Sequence, residues 1–189
     1  MKNKKLVVGI TGASGFIYAE RFIAAAHHMG IELHLVMTKA AQITRAHESE
    51  LGLQDLKKQV AHYHPIEDIG ASIASGSYDH QGMVILPCSM HTVAEIACGL
   101  SGNLLTRTAD VCLKERRPLV IVPRETPLHA VHLQNLSTIT QLGGIVYPPM
   151  PAFYQHPTSI EELVDHTLGR IFSLLKIEQT LSPEWLGWR

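Results

Sequence analysis

Cysteine, charge and long apolar runs are all scarce in this chain of 189 residues. The three cysteines, Cys88, Cys98 and Cys112, lie in apolar or helical contexts with no CxxC spacing, which argues against a zinc–thiolate site or a disulfide framework and fits a reducing cytoplasm. Charged residues make up only 17%, few for a monomer's surface, so part of that surface is expected to be buried between subunits of a homo-oligomer. Sixteen basic against seventeen acidic residues leave a net charge of −1 and no basic field to gather nucleic acid or anionic lipid. No segment has the ~20 consecutive apolar residues that span a bilayer. Lys2, Lys4 and Lys5 precede Leu6–Ile10, but this run is short and meets a glycine turn at once, so it reads as a first strand rather than a secretory leader.

What remains is 46% hydrophobic, ordinary for one soluble domain spanning 1–189. Strand-like runs recur at Leu6–Ile10, Glu32–Met37, Met83–Leu86, Leu119–Val122 and Gly144–Tyr147. Between them, helical periodicity covers Phe16–His28, Thr92–Gly99, Ala109–Arg116, Leu128–Leu142 and Ile160–Leu175. Such alternation predicts right-handed crossovers and a doubly wound α/β architecture, Rossmann-like or flavodoxin-like, with helices on both faces of a parallel sheet. The pattern weakens between Leu51 and Asp79, where Ala74-Ser75-Gly76-Ser77 reads as an exposed loop leading into the third strand. Pro148-Pro149-Met150-Pro151 cannot be regular helix or central strand and is expected to run extended, delivering Phe153 and Tyr154. A C-terminal extension, about 176–189, carries Trp185 and Trp188 and is expected to pack on its own domain or on a neighbouring subunit.

Polar groups gather where strands end. Leu119-Val120-Ile121-Val122 stops at Pro123-Arg124-Glu125-Thr126-Pro127, and Met83-Val84-Ile85-Leu86 stops at Pro87-Cys88-Ser89-Met90-His91-Thr92. Runs buried on both faces belong to parallel sheets, whose ligands lie beyond the carboxyl ends of the strands, so both strand ends face one crevice. Gly9-Ile10-Thr11-Gly12-Ala13-Ser14-Gly15 follows the first strand and opens a helix, leaving backbone N–H groups to meet a phosphate, or serving only as a tight strand–helix turn. An adenine dinucleotide site would add an acidic residue at the end of the second strand. Met37-Thr38-Lys39 stands there instead, which points to a smaller phosphorylated ligand such as flavin mononucleotide, with Thr38, Ser89 and Thr92 offering hydroxyls. Ser89 can cap a helix at the same time.

Each charged candidate has a bland alternative. Arg124 or Lys114 could be in a structural ion pair with Glu125 or Glu115, and Glu48 could lie on a solvated helix face. Arg116 and Arg117 read as solvent-facing or intersubunit residues. The twelve histidines tempt a metal reading, but His27-His28 and His62-Tyr63-His64 show no matching ligand set, so scattered surface imidazoles and no metal site are expected.

In order along the chain, Gly12-Ala13-Ser14-Gly15 with Tyr18, Pro87-Cys88-Ser89-Met90, Asn103-Leu104-Leu105, Arg107, Ala109-Asp110-Val111, Leu113 to Arg117, Pro123 to Leu128, His132-Leu133, Asn135 and Pro149 to Tyr154 resemble the UbiX family of flavin prenyltransferases. The resemblance implies transfer of a dimethylallyl group from dimethylallyl phosphate to N5 and C6 of reduced FMN, giving prenylated FMN for a UbiD-type decarboxylase, in a dodecamer. By position it implies that Gly12, Ala13, Ser14, Thr38, Ser89, Met90, His91, Thr92 and Arg124 bind FMN, with His91 acting through its backbone. It likewise implies that Tyr154, Arg170, Lys114 and Arg107 hold the prenyl phosphate, and that Ser14, Glu48, Lys114 and Glu125 act in catalysis. Two positions depart from the family pattern, Ala19 for glycine and Thr38 for serine, and neither removes a functional group. The rival readings are an FMN-dependent decarboxylase of the cysteinyl-substrate class and a non-catalytic flavin carrier.

Overall fold

Leu6, Val8 and Ile10 turn to one face of the first strand and Val7 to the other, yet all are inaccessible to solvent, so helices must cover both faces. A computed structural model describes residues 4–183 and Gly187 and supplies that cover. Its elements are β1 (Lys5–Ile10), α1 (Phe16–His28), β2 (Glu32–Met37), α2 (Lys39–Glu48), α3 (Leu53–Lys58), β3 (His62–His64), β4 (Met83–Cys88), α4 (Met90–Ala97), α5 (Leu104–Lys114), β5 (Leu119–Pro123), α6 (Ala130–Gln141), β6 (Ile145–Val146) and α7 (Ile160–Leu174). The six strands form one sheet in the order β3-β2-β1-β4-β5-β6, and every neighbouring pair is parallel. This is the doubly wound arrangement that the alternating pattern predicts. The order reverses between β1 and β4, and a crevice opens beyond their carboxyl ends.

On one face, Phe16, Phe22 and Ile23 of α1 and Val164, Leu168 and Phe172 of α7 pack on Leu6, Val8 and Leu35. Phe22 and Phe172 stack with centroids 4.3 Å apart. Arg21 adds a bidentate pair to Asp165, at 2.7 and 2.6 Å, which locks α7 to α1. The other face is covered by Val93 and Ile96 of α4, Leu105 and Ala109 of α5, and Ile139 of α6. Ile139 is the only buried residue of α6. Leu128, Val131 and Leu133 stand 41, 56 and 55% exposed.

Three elements are additional to the expected ones. β3 has three residues, all polar or aromatic, and lies at the sheet edge; α2 buries only Ala41; and α3 has six residues. None carries a long apolar stripe for periodicity to detect. α5 begins five residues before the expected Ala109 because Asn103 caps it reciprocally with Thr106, its Oδ1 accepting the Thr106 N–H at 3.0 Å. In the segment read as an exposed loop, Ala74 closes a 3₁₀ turn and is buried, and Arg117, expected at the surface or an interface, donates to the carbonyls of Gly76 and Tyr78 at 2.6 and 2.7 Å. Nor are the histidines simply scattered: His34, His62 and His64 lie together with Glu32 and Tyr78.

After α7 the chain turns back, burying Ile177 and pairing the Gln179 side chain with the backbone N–H and carbonyl of Ser182. A Cβ on Gly169 would come within 2.4 Å of the Ser182 Cβ, so only glycine admits this return. Trp185 and Trp188 lie outside the described residues.

Candidate active site

At the reversal point, Thr11 fastens the first loop to the fourth strand: its hydroxyl donates to the Pro87 carbonyl at 3.0 Å and accepts the Ser89 N–H at 2.7 Å. Sequence reasoning passed over this residue, although a hydroxyl directly after a buried strand is the available signal. Gly12 lies against α2, where an added Cβ would meet that of Ala40 at 2.4 Å. Gly15, with φ 105°, takes the left-handed turn into α1. Thr38 caps α2 by accepting the Ala41 N–H at 3.1 Å, and Ser89 caps α4 through Thr92 at 3.4 Å. Three helix N-termini thus converge on the crevice, and the first-turn N–H groups of Met90 and His91 have no intrahelical acceptor. Such a rim is suited to an anion.

One carboxylate already occupies part of that rim. Glu48 Oε2 accepts the N–H groups of Gly15 and Phe16, each at 2.8 Å. Burial disfavours its charge, but the Ser14 hydroxyl, these two N–H groups and the Arg124 guanidinium together outweigh that cost and hold Glu48 below the ordinary carboxylate range. A depressed folded value means that the stabilisation is complete above the unfolded pKa, near 4.3, and is lost as pH falls through and below it. Glu48→Gln is expected to cost about 1 kcal/mol at pH 7, a cap-sized loss kept small by solvent screening. At pH 3 the difference from the parent should shrink; urea unfolding at both values measures it, and an equal loss at both would mean that charge is irrelevant.

Arg124 follows β5, its N–H bonded to the Cys88 carbonyl at 3.1 Å. Its Cδ lies 3.5 Å from where a Gly15 Cβ would stand, beside Tyr18. No ion pair joins it to Glu125 among the described residues; Glu125 Oε1 instead accepts the Thr126 N–H at 3.0 Å. Burial raises the Tyr18 and Tyr147 hydroxyls, opposed by Arg124 and Arg170 respectively, and Tyr147 also feels Tyr154 and Tyr18. Burial, followed by the charge of Arg170, lowers His166, whose ring meets Tyr154 edge-on at 5.8 Å. The linked group is therefore Ser14, Glu48, Arg124, Tyr154 and Arg170, joined by Tyr18, Tyr147 and His166, which sequence reasoning did not assign. Tyr18 lies within the helical run Phe16–His28 and Tyr147 ends a strand-like run, so neither stands out by position alone.

Cys88 stands at the mouth of β4, but complete burial pushes its thiol up and leaves it inert as a nucleophile. Two expected site residues are elsewhere. Lys114 is at the end of α5 that leads to the start of β5, ion-paired with Glu115. Arg107 is bound to Asp110 at 2.9 Å and to the Ala74 carbonyl at 3.3 Å.

The Flavoprotein family model matches residues 1–174. The flavin prenyltransferase UbiX of Neisseria meningitidis serogroup B is 44% identical over 97% of both chains. This chain belongs to the UbiX flavin prenyltransferases. Among solved structures, AnUbiX (PadA1) in complex with FMN and dimethylallyl pyrophosphate superposes with a TM-score of 0.96 at 39% identity, covering all of both chains. The dodecameric FMN-dependent UbiX-like decarboxylase from Escherichia coli O157:H7 gives 0.93 at 40% identity, over 97% of this chain and all of the other. For a UbiX-family chain, the crevice at the β1–β4 reversal has the features a flavin phosphate needs: unpaired first-turn N–H groups, hydroxyl caps, and a guanidinium at its wall.

Proposed function

We propose that this chain transfers a dimethylallyl group from dimethylallyl phosphate to N5 and C6 of reduced FMN, producing prenylated FMN. The observation that supports this reading is that Arg124 lies beside the glycine loop and Tyr18, and that Tyr147 feels Tyr18, Arg170 and Tyr154 together, in a chain whose backbone follows that of a relative holding FMN and a dimethylallyl donor. Reduced FMN supplies the electron-rich ring atoms. Met90 and His91 offer N–H groups, and Thr38, Ser89 and Thr92 offer hydroxyls, to the flavin and its phosphate; Gly12, Ala13 and Ser14 let the backbone approach the ring, and Arg124 covers it.

Breaking the allylic C–O bond leaves its electron pair on phosphate, so the site must hold a growing negative charge and keep water from the allyl cation. Tyr154 and Arg170 hold that phosphate, with Lys114 and Arg107 contributing from another subunit. The proton leaving C6 passes to Glu125, directly or through the released phosphate with Ser14 as relay. Glu48 orients Ser14 and anchors the loop against N5.

Assembly follows from the same geometry. The exposed Leu128, Val131 and Leu133 around α6 form an apolar face for a second copy, and a dodecamer, as in the Escherichia coli relative, would bury it. The product would pass to a UbiD-type decarboxylase in the cytoplasm, where three unpaired thiols are stable. Among the described residues no helix is long and apolar enough to cross a membrane.

The deciding experiment incubates the protein with reduced FMN and dimethylallyl phosphate without oxygen and weighs the released flavin. A gain of one five-carbon unit is expected. An unchanged mass from folded, flavin-binding protein would leave the carrier reading in its place.

A further inference from the structure

At the amino end of the sheet, roughly 20 Å from the flavin crevice by the length of a six-residue strand, a second polar cluster has no part in the proposed reaction. Parallel pairing sets Lys5 opposite Glu32, His34 opposite His62 and Val36 opposite His64. Side chains alternate along a strand, so Glu32, His34, His62 and His64 all leave the same face. Tyr78, from the loop before β4, lies over them.

The contacts are close. His34 Nδ1 is 2.9 Å from His64 Nε2, and His34 Nε2 is 3.0 Å from the Tyr78 hydroxyl and 3.5 Å from Glu32 Oε1. His62 Nε2 is 3.8 Å from the same carboxylate oxygen. One ligand atom from each of Glu32, His34 and His62 lies within 4.8 Å of the others. Ligands at zinc–nitrogen and zinc–oxygen distances sit about 3.3 Å apart around a tetrahedral ion, so the separations to Glu32 need close by only about half an ångström. His34 is buried, whereas His62 is half-exposed, which gives an ion an entry path and lets the outer imidazole turn to meet it.

We propose that Glu32, His34 and His62 bind one divalent late first-row ion, zinc being the closest fit, with water in the fourth position. Two imidazoles and one carboxylate suit zinc, nickel or copper rather than magnesium or calcium. With the ion on His34 Nε2, the Nδ1–H of that ring would donate to His64 Nε2 across the 2.9 Å contact, a positioning role for His64. The Tyr78 hydroxyl, now bonded to that lone pair, gives way. Lys5 Nζ lies 3.7 Å from Glu32 and 3.1 Å from the Tyr78 hydroxyl, so an ammonium now balances the carboxylate that the metal would take over. The ion would then clamp the three-residue edge strand β3 to β2. The cluster's alternative is a metal-free hydrogen-bonded rivet.

The test uses the untagged full chain in its native assembly, with zinc titrated in competition with a chromophoric chelator and cobalt(II) as a spectroscopic probe. Expected are one equivalent per chain and an intense visible cobalt band. His62→Ala and Glu32→Gln should each weaken binding by roughly tenfold or more, as loss of a ligand requires, with unchanged circular dichroism. Lys5→Gln should tighten it, since the competing charge is gone. The double variant His27→Ala, His28→Ala should bind as the parent does. If the parent takes up no zinc, if His62→Ala and Glu32→Gln bind unchanged, or if the His27/His28 variant alone loses the ion, the site is only a rivet and the proposal fails.

Discussion

Glu125→Gln is expected to slow formation of the prenylated flavin by roughly 10²–10⁴-fold, the usual contribution of a positioned acid or base, while FMN affinity hardly moves. The asymmetry follows from position. Glu125 is the second residue beyond β5, exposed, and bonded within the chain through the neighbouring Thr126 N–H. An amide of the same shape keeps that turn through its carbonyl oxygen but cannot take a proton. Anaerobic single-turnover kinetics read the chemical step, and quenching of FMN fluorescence reads binding. Equal losses in both would make Glu125 a structural residue and move the proton acceptor elsewhere.

Lys114→Ala and Glu125→Gln, each inactive alone, are expected to recover activity when co-expressed. α5 has eleven residues and ends at Lys114, five residues before β5 begins. β5 then carries the chain about 17 Å across the sheet before Arg124 and Glu125 appear. A side chain of Lys114's length cannot cover that span within one subunit, so a crevice that uses it must borrow it from a neighbour. Random mixing of the two variants then leaves about one site in four with both native groups, and roughly a quarter of the parental rate. Co-expressed protein as inactive as either variant alone would remove Lys114 from the site.

These two residues also mark how far the sequence could be read. Both lie in segments carrying the family resemblance, but nothing in a one-dimensional pattern tells that Glu125 follows β5 on the crevice side of the sheet while Lys114 ends α5 at the opposite side. The same holds for α2, whose weak apolar stripe concealed it, although Thr38 at its cap was singled out for its hydroxyl. β1, β4 and β5 were legible because runs such as Leu119–Val122 are apolar on both faces, a pattern with few other uses, and β2 because Leu33, Leu35 and Met37 alternate onto one apolar face. β3 was not, because its two histidines and tyrosine do not resemble a strand, and their meaning appears only once Glu32 and His34 are beside them. Thr11, Tyr18, Tyr147 and His166 received no role from the sequence for a related reason. Thr11 and Tyr18 meet partners far away in sequence, Pro87 with Ser89 and Arg124 respectively, and Tyr147 and His166 are linked to Arg170 only once α7 has formed and folded back.

Gly169 sits one residue before Arg170, under the returning tail. The guanidinium proposed to grip the donor's leaving group is thereby seated against the stretch of chain that carries Gln179 and Ser182. A substitution at Gln179 or Ser182 would thus reach that guanidinium through the backbone of α7, so homologues with different endings offer a natural series in which donor preference can be compared.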